Sequence, residues 1–133
     1  MYAVGAEDRY KQPCLAIMRA TADGRLDCVS SSEVVQEIMH RWWAIGRRAR
    51  GLIVAQEFLD ALPQGILPVG RADISEALVV AGTHLTLQSR DCVHVGTMRV
   101  NGIVEIISAD RVFDQVQGIT RHDPLALAAR LGP

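Results

Sequence analysis

The chain has 133 residues, of which 49% are hydrophobic and 22% are charged, and its formal net charge is −1. This length is typical of one domain, and the apolar content excludes an intrinsically disordered chain. The near-neutral charge excludes a strongly basic nucleic-acid coat. From the length we expect a single domain over residues 1–133, with residues 125–133 as a C-terminal tail.

Strand-like and helical segments alternate along the chain. Strands are predicted where short apolar runs occur, at Leu26–Ser30, Ile66–Val69, Ile103–Ile107 and, more weakly, Ile119–Arg121. Helices are predicted where apolar residues recur at three- and four-residue steps, at Glu33–Arg48, Gly51–Leu62 (closed by Pro63), Asp73–Leu87 and Asp91–Val100. Ser30 and Glu33 have the spacing of a capping box that opens the first helix. Strands separated by helices indicate an α/β fold, with a parallel sheet flanked by helices.

Export, membrane insertion and thiolate-metal chemistry are all disfavoured. No apolar run reaches the roughly 20 residues needed to cross a bilayer, and the acidic N-terminal segment lacks the features of an export signal. The three cysteines, Cys14, Cys28 and Cys92, form no CxxC pair, which argues against a disulfide framework and a zinc site. We therefore expect a cytoplasmic protein with no membrane contact.

Several common kinds of active site are missing from the sequence. There is no GxGxxG loop after a strand and no GxxxxGK[ST] loop, so the phosphate cradles of dinucleotide and nucleoside-triphosphate sites are absent. A cysteine nucleophile is disfavoured because Cys92 and His94 lie two residues apart and point in different directions on a helix. The remaining candidates for chemistry are acidic side chains.

Carboxylates recur near the ends of the predicted strands, where function gathers in open α/β sheets. Glu37 lies in the helix after the first strand, Asp91 begins a later helix, and Asp110 follows the third strand. Asp114 lies four residues beyond Asp110, so the two carboxylates point the same way if this segment is one helical turn. Gathered carboxylates repel each other unless a cation neutralises them, and oxygen ligands suit Mg²⁺ or Mn²⁺. Such a site suggests phosphodiester hydrolysis by a metal-activated water.

Each of these acids also has an ordinary structural interpretation. Asp91 can cap its helix, Glu37 can be a solvated helix residue, and Asp110 can begin a turn. Taken singly, none of the acids establishes a catalytic site, so the two interpretations stay open at this point.

Three segments carry a resemblance to a known family. They are Ser31–Ile38 (SSEVVQEI), Ser89–His94 (SRDCVH) and Ser108–Asp114 (SADRVFD). Their order and spacing resemble the three downstream acidic motifs of the PIN-domain family, and the sequence looks most like the VapC-type ribonuclease toxins of bacterial toxin–antitoxin pairs. The resemblance covers about residues 1–124.

The resemblance implies a PIN-like α/β/α sandwich, a Mg²⁺- or Mn²⁺-dependent site for RNA cleavage and a small cognate antitoxin as partner. Carried over by motif, it implies that Glu37, Asp91 and Asp110 are catalytic, metal-binding carboxylates. It implies Asp114 as an additional metal ligand. Arg90 and Arg111 adjoin these acids and are candidates for contacts with RNA phosphates.

The N-terminus departs from the family pattern. The family opens with an apolar strand that ends in Asp-Thr-Asn or a similar motif, whose aspartate is a metal ligand, whereas Met1–Gly5 resemble the segment after it. Two explanations remain open: Met1 is an internal methionine of a longer protein, or the chain is a truncated copy. We expect the polypeptide as given to have weak or no nuclease activity.

The long predicted helix adds a basic cluster and two adjacent tryptophans. Arg41 is a candidate for RNA binding, together with three arginines near the predicted end of the helix, at positions 47, 48 and 50. The alternative is a solvated face whose charge complements the helix dipole. Trp42 and Trp43 cannot both face one core, so one of them is expected at a surface that contacts an antitoxin or a second copy in a homodimer.

Two other functions remain open beside the nuclease. One is a degenerate, non-catalytic PIN domain that acts as a binding or structural partner. The other is an unrelated phosphate-ester hydrolase, which would cleave small phosphoesters and leave RNA untouched.

Overall fold

The computed structural model describes residues 9–62 and 64–132, so the expectations on Met1–Gly5 and Pro63 lie outside the described residues. The elements in chain order are α1 (Lys11–Ala22), β1 (Ser30–Ser31), α2 (Ser32–Ala44), α3 (Arg48–Asp60), β2 (Ile66–Leu67), α4 (Arg71–Thr83), α5 (Ser89–Val100), β3 (Glu105–Ile107), a 3-10 helix (Arg111–Gln115), β4 (Thr120–His122) and α6 (Pro124–Leu131). They form two compact units, the first up to residue 67 together with residues from 124 onward, and the second over Pro68–Asp123. None of the helices in the described ranges is long and apolar enough to cross a membrane.

Among the described residues, the first unit combines one parallel strand pair with four helices. β1 pairs with β2 in parallel, with Ser30 opposite Ile66. Helix α2 packs against α3, and α1 packs against α6. The α2–α3 contact buries a small core of aliphatic side chains from both helices, formed by Ile38, Val54 and Ala55. The expected C-terminal tail, 125–133, is helical over most of its length because it belongs to α6.

The long helix predicted over Glu33–Arg48 is wrong at its C-terminal end. Helix α2 stops at Ala44, because Gly46 adopts a left-handed backbone with φ of +71°, which glycine tolerates best. The Gly46 N–H donates to the Trp43 carbonyl and the next N–H, from Arg47, donates to the Trp42 carbonyl, both at 2.9 Å. This pair of bonds is a Schellman motif, which satisfies carbonyls that the helix end would leave unpaired.

The helix break changes the interpretation of the basic cluster. Arg41 lies in the last turn of α2, where a positive charge does complement the helix dipole. Arg48 and Arg50 instead lie in the first turn of α3, and Arg47 directly precedes that helix. The helix-dipole explanation is therefore wrong for these three arginines, because they sit at the positive end of a different helix.

Gly51 lets α2 and α3 approach closely. An added Cβ at Gly51 would lie 2.6 Å from the Trp42 Cβ, which is closer than real Cβ atoms come. Trp42 packs against the α2–α3 core, whereas the Trp43 side chain is 37% exposed and carries the Arg48 guanidinium 4.6 Å from its ring centre. The expectation that the two tryptophans face different surroundings is confirmed.

The second unit is built on a close crossing of α4 and α5. An added Cβ at Gly96 would lie 2.5 Å from the Asp73 carbonyl oxygen and 2.7 Å from the Ala77 amide nitrogen. The core joins the two helices to the 3-10 segment through six buried side chains: Ala77, Val80, Cys92, Val95, Phe113 and Val116. β3 and β4 pair in parallel, with Ile106 opposite Arg121. The parallel pairs and flanking helices confirm the predicted α/β class.

Two local predictions near the first strand are wrong. Of the strand predicted over Leu26–Ser30, only Ser30 is in a strand, because the residues before it make no strand pairing. The observed strand continues to Ser31. The predicted capping box of Ser30 with Glu33 is wrong as well, because Ser30 belongs to β1 and is not the N-cap of α2. Helix α2 begins at Ser32 with Ser31 as its N-cap, and the Ser31 side chain makes no capping hydrogen bond.

Candidate active site

Asp91 caps helix α5. Its Oδ2 accepts a hydrogen bond of 2.9 Å from the Gln88 N–H, three residues earlier. A carboxylate that accepts a hydrogen bond from an otherwise unpaired backbone N–H at the start of a helix stabilises that helix. Its negative charge also complements the helix dipole. The side chain is half-buried, and its Oδ1 makes no hydrogen bond within the described residues. The capping role and an oxygen available to a ligand therefore coexist in Asp91.

Cys92, the residue after Asp91, does not provide a nucleophile. Its side chain is buried in the core of the second unit, with 4% of its surface exposed. Burial, and to a smaller extent the charge of Asp91, raise the pKa of the Cys92 thiol. A buried thiol with a raised pKa carries little of the reactive thiolate at neutral pH. The structure therefore agrees with the sequence argument against a Cys92 nucleophile.

Asp110 begins the 3-10 helix directly after β3. Its backbone is extended, and its Oδ1 accepts a hydrogen bond of 2.9 Å from the Val112 N–H. The Asp110 N–H in turn donates to the Ser108 Oγ at 3.1 Å. The carboxylate is exposed, and its Oδ2 has no hydrogen-bond partner in the part of the chain that the structure describes. As with Asp91, one oxygen is used locally and the other remains available.

The expected helical alignment of Asp110 with Asp114 is wrong. Asp110 lies outside the helix as its N-cap, and the helix that follows is of the tighter 3-10 type. The two Asp114 oxygens accept bonds from Arg121, Oδ1 from Nε at 2.8 Å and Oδ2 from Nη2 at 3.2 Å. The hydrogen bonds and charge of Arg121 lower the pKa of Asp114, and those of Asp114 raise the pKa of Arg121.

Asp91 and Asp110 are positioned by the same core. Cys92, next to Asp91, and Phe113, three residues after Asp110, are both members of the buried cluster of the second unit. Val112 packs against that cluster as well. The backbone on the C-terminal side of each acid is therefore anchored in shared packing.

The other residues predicted for the site divide between the two units. Glu37 is half-buried on α2 of the first unit, next to the core residue Ile38, and Arg41 is exposed one turn later. Arg90 is exposed in the first turn of α5, and Arg111 is exposed as the first residue of the 3-10 helix. Arg90 and Arg111 are thus sequence neighbours of Asp91 and Asp110 in the second unit.

The donor set suits a hard cation in its chemistry. Carboxylate oxygens are the ligands that Mg²⁺ and Mn²⁺ prefer, and Asp91 and Asp110 each keep one oxygen out of their hydrogen bonds. Within residues 9–62 and 64–132, no group of three or more histidine, cysteine, aspartate or glutamate side chains is assembled that could hold a metal ion. The assignment of Glu37, Asp91, Asp110 and Asp114 as ligands therefore stays a prediction.

Arg121 contacts the segment around Asp110, although the sequence pattern did not single it out. Besides Asp114, it contacts the Ser108 carbonyl, to which Nη1 donates at 2.8 Å. The signal available in the sequence was the position of Arg121 in the weak fourth strand, which parallel pairing places opposite Ile106. This register brings the arginine to the end of β3, close to where the Asp110 segment begins.

Comparisons with known proteins give relatives along almost the whole chain. The chain is 33% identical over 121 residues to VapC ribonuclease Mb1869c of Mycobacterium bovis and to ribonuclease VapC13 of Mycobacterium tuberculosis, covering 91% of this chain and 92% of each relative. It is 24% identical over 124 residues to ribonuclease VapC7 of Mycobacterium tuberculosis, covering 93% of this chain and 86% of that protein. No family model matches the chain, and no solved structure does.

Proposed function

The chain belongs to the VapC ribonuclease family, and on that premise we propose that it is an endoribonuclease acting as the toxin of a toxin–antitoxin pair. The observation that carries the proposal is 33% identity over 91% of the chain to proteins named as VapC ribonucleases. The available carboxylate oxygens of Asp91 and Asp110 support it. The proposed reaction is metal-dependent hydrolysis of RNA phosphodiesters.

The residues proposed to hold Mg²⁺ or Mn²⁺ are Glu37, Asp91 and Asp110. Such an ion, when bound, activates a water and stabilises negative charge on the leaving oxygen. The chain's own contribution is to fix the carboxylates. Asp91 is held at the start of α5 by the Gln88 amide, and Asp110 is held at the start of the 3-10 helix by the Val112 amide.

Arginines next to these acids are proposed to bind the RNA backbone. Arg90 directly precedes Asp91, Arg111 directly follows Asp110, and both arginines are exposed. Their planar guanidinium groups can donate two hydrogen bonds to one phosphate. Arg41, exposed on α2, is proposed as a third phosphate contact from the first unit. Neutralisation of phosphates by arginines makes the binding of RNA depend on salt concentration.

The proposed protein partners are a cognate antitoxin and a second copy of the chain in a homodimer. Two large apolar side chains near the end of α2 are partly exposed, Trp43 at 37% and Ile45 at 59%. Exposed aromatic and aliphatic side chains of this kind are typical of protein interfaces. They support a partner surface on the first unit.

The test compares the wild-type chain with Asp91→Asn on single-stranded RNA, with and without Mn²⁺. Asparagine keeps an oxygen that can accept from the Gln88 amide, so the cap survives while the charge is lost. We expect Mn²⁺ to raise the melting temperature of the wild-type chain, because an ion that binds only the folded state stabilises it, and to support at most the weak RNA cleavage expected of the polypeptide as given. The Asp91→Asn variant should lose both effects.

Glu76→Gln is the matched control, because Glu76 is an acid of the same unit whose carboxylate pairs with Arg99. It should keep both responses to Mn²⁺. RNA binding without cleavage and without any response to Mn²⁺ would contradict the nuclease and favour the non-catalytic PIN domain. Cleavage of small phosphoesters with RNA intact would favour the unrelated hydrolase.

A further inference from the structure

Arg121 joins three segments of the second unit. Its Nε and Nη2 donate to the two oxygens of Asp114 at 2.8 and 3.2 Å, and its Nη1 donates to the Ser108 carbonyl at 2.8 Å. Nη1 also lies 3.6 Å from Asp123 Oδ2. The Arg121 side chain is 11% exposed. One nearly buried guanidinium therefore ties together the end of β3, the 3-10 helix and the residue after β4.

The tied segments enclose Asp110. Ser108 lies two residues before it and Asp114 four residues after it. Ser108 is fixed by further bonds: its N–H donates to the His122 carbonyl at 3.1 Å, and its Oγ accepts from the Asp110 N–H at 3.1 Å. The segment that carries the Asp110 carboxylate thus lies between two residues, Ser108 and Asp114, that Arg121 contacts.

We propose that Arg121 is the positioning residue of Asp110, and that Asp114 is the anchor of Arg121 instead of a metal ligand. This inference rests on the proposed function, because Asp110 is a catalytic carboxylate only in that reaction. An arginine suits the role because its fork satisfies the two Asp114 oxygens and the Ser108 carbonyl at once. A lysine has one ammonium centre and cannot reproduce these contacts.

The ordinary alternative is a surface ion pair without influence on the site. Exposed pairs contribute little because water screens them and their side chains lose freedom. Arg99 with Glu76 is a pair of that kind in the same unit, with one contact of 3.0 Å and side chains 34% and 33% exposed. Arg121 differs in its two-oxygen contact, its bond to a backbone carbonyl and the low exposure of its own side chain, although the Asp114 side chain is 51% exposed. Arg99→Gln is accordingly the control.

The first experiment measures the Mn²⁺ affinity of the whole chain by calorimetry, for the wild type, Arg121→Gln, Asp114→Asn and the double variant. We expect each single variant to bind Mn²⁺ about 10-fold to 100-fold more weakly, as is typical when a residue that orients a metal ligand is removed. The double variant should bind no more weakly than the weaker single variant, because both changes release the same contact. Arg121→Lys should also bind weakly, and Arg99→Gln should bind like the wild type.

Two outcomes of this experiment overturn the proposal. A further loss of affinity on adding Asp114→Asn to Arg121→Gln would show that Asp114 contributes to the metal independently. Variants that melt at lower temperature but bind Mn²⁺ with unchanged affinity would show that the contact serves the fold alone. Asp114→Asn probes the same contact even if Arg121→Gln does not fold.

The second experiment needs no metal and separates this proposal from the function on which it rests. Amide exchange of Val112, whose N–H is bonded to Asp110, is followed by NMR in the metal-free chain. We expect exchange at least about 10-fold faster in Arg121→Gln and unchanged in Arg99→Gln. Unchanged exchange in Arg121→Gln overturns the positioning role, whereas failure of the wild-type chain to bind Mn²⁺ overturns the metal part of the proposed function.

Discussion

Helices α4 and α5 begin with the same local device but present their acids differently. Asp73 accepts the Gly70 N–H at 2.8 Å, as Asp91 accepts the Gln88 N–H at 2.9 Å. Asp73 is only 6% exposed, and its Oδ1 is buried without a hydrogen-bond partner among the described residues, whereas Asp91 is half-buried. A helix cap by itself therefore does not distinguish a structural acid from one proposed to bind a metal ion. The two acids differ in the accessibility of the second carboxylate oxygen.

The close approach of Gly96 to the Asp73 backbone gives the largest expected effect. Gly96→Ala places a methyl group 2.5 Å from the Asp73 carbonyl oxygen, so α5 must move away from α4. We expect the free energy of unfolding to fall by about 3 kcal/mol, measured by urea denaturation followed by circular dichroism.

Gly82→Ala is the control, since Gly82 is helical and an added Cβ there meets nothing within 4 Å. It should raise the free energy of unfolding by about 0.5–1 kcal/mol, because alanine has the higher helix propensity. Equal stability of the two variants would contradict the close crossing of α4 and α5.

The two capping acids are compared directly by Asp91→Asn and Asp73→Asn. Asp91→Asn should weaken Mn²⁺ binding by on the order of 100-fold and abolish any residual RNA cleavage, while the free energy of unfolding changes by less than about 0.5 kcal/mol. Asp73→Asn should leave Mn²⁺ affinity unchanged and cost about 1–2 kcal/mol, because an amide group replaces an Oδ1 that is buried without a partner among the described residues, and the new N–H groups are left unpaired there. Calorimetry measures the Mn²⁺ affinities, and urea denaturation measures the free energies of unfolding. Loss of Mn²⁺ affinity in Asp73→Asn but not in Asp91→Asn would contradict the comparison.

A third acid, Asp114, extends the comparison to a carboxylate held by an arginine. Its pKa is lowered by Arg121, so its contribution to stability is complete above the ordinary carboxyl pKa of about 3.9 and is lost as the pH falls through the lower value in the folded chain. NMR titration should find the Asp114 pKa below its usual range in the wild type. Arg121→Gln should return it toward that range, and Arg99→Gln should leave it lowered.

The smallest effect concerns the thiols. Burial raises the pKa of Cys92 and of Cys28, but Cys92 is buried whereas Cys28 is only partly so. We expect iodoacetamide at pH 7 to modify Cys92 more slowly than Cys28 in the native chain, with the difference lost on unfolding. Peptide mass spectrometry measures both rates. Equal native rates would show that the first turn of α5 is more open than its packing indicates.

Periodicity predicted α2, α3, α4 and α5 but missed α1 and α6, and it extended α2 beyond its end. The apolar spacing of α2 continues through Trp43 and Ile45, so the pattern alone extends the helix to Arg48. The backbone of Gly46 ends the helix earlier, because its left-handed conformation allows the two capping bonds of the Schellman motif. Gly46 was the available signal, and it was outweighed by the apolar pattern.

The candidate site was only partly accessible from the sequence. The motif resemblance identified Asp91 and Asp110, and the structure shows that both keep an oxygen available beside their caps. The helical spacing of Asp110 and Asp114 gave the wrong geometry, because Asp110 is extended and precedes the helix. Arg121 could not be placed near Ser108 without the register of β3 and β4, which depends on pairing between distant parts of the chain.

The placement of the tryptophans provides a built-in optical reporter. Both tryptophans of the chain, Trp42 and Trp43, belong to α2 in the first unit, so indole emission follows the unfolding of that unit alone. Far-ultraviolet circular dichroism records helices of both units. Coincident midpoints from the two signals would therefore indicate one cooperative transition, whereas an emission midpoint that Gly96→Ala leaves unmoved would show that the units melt separately.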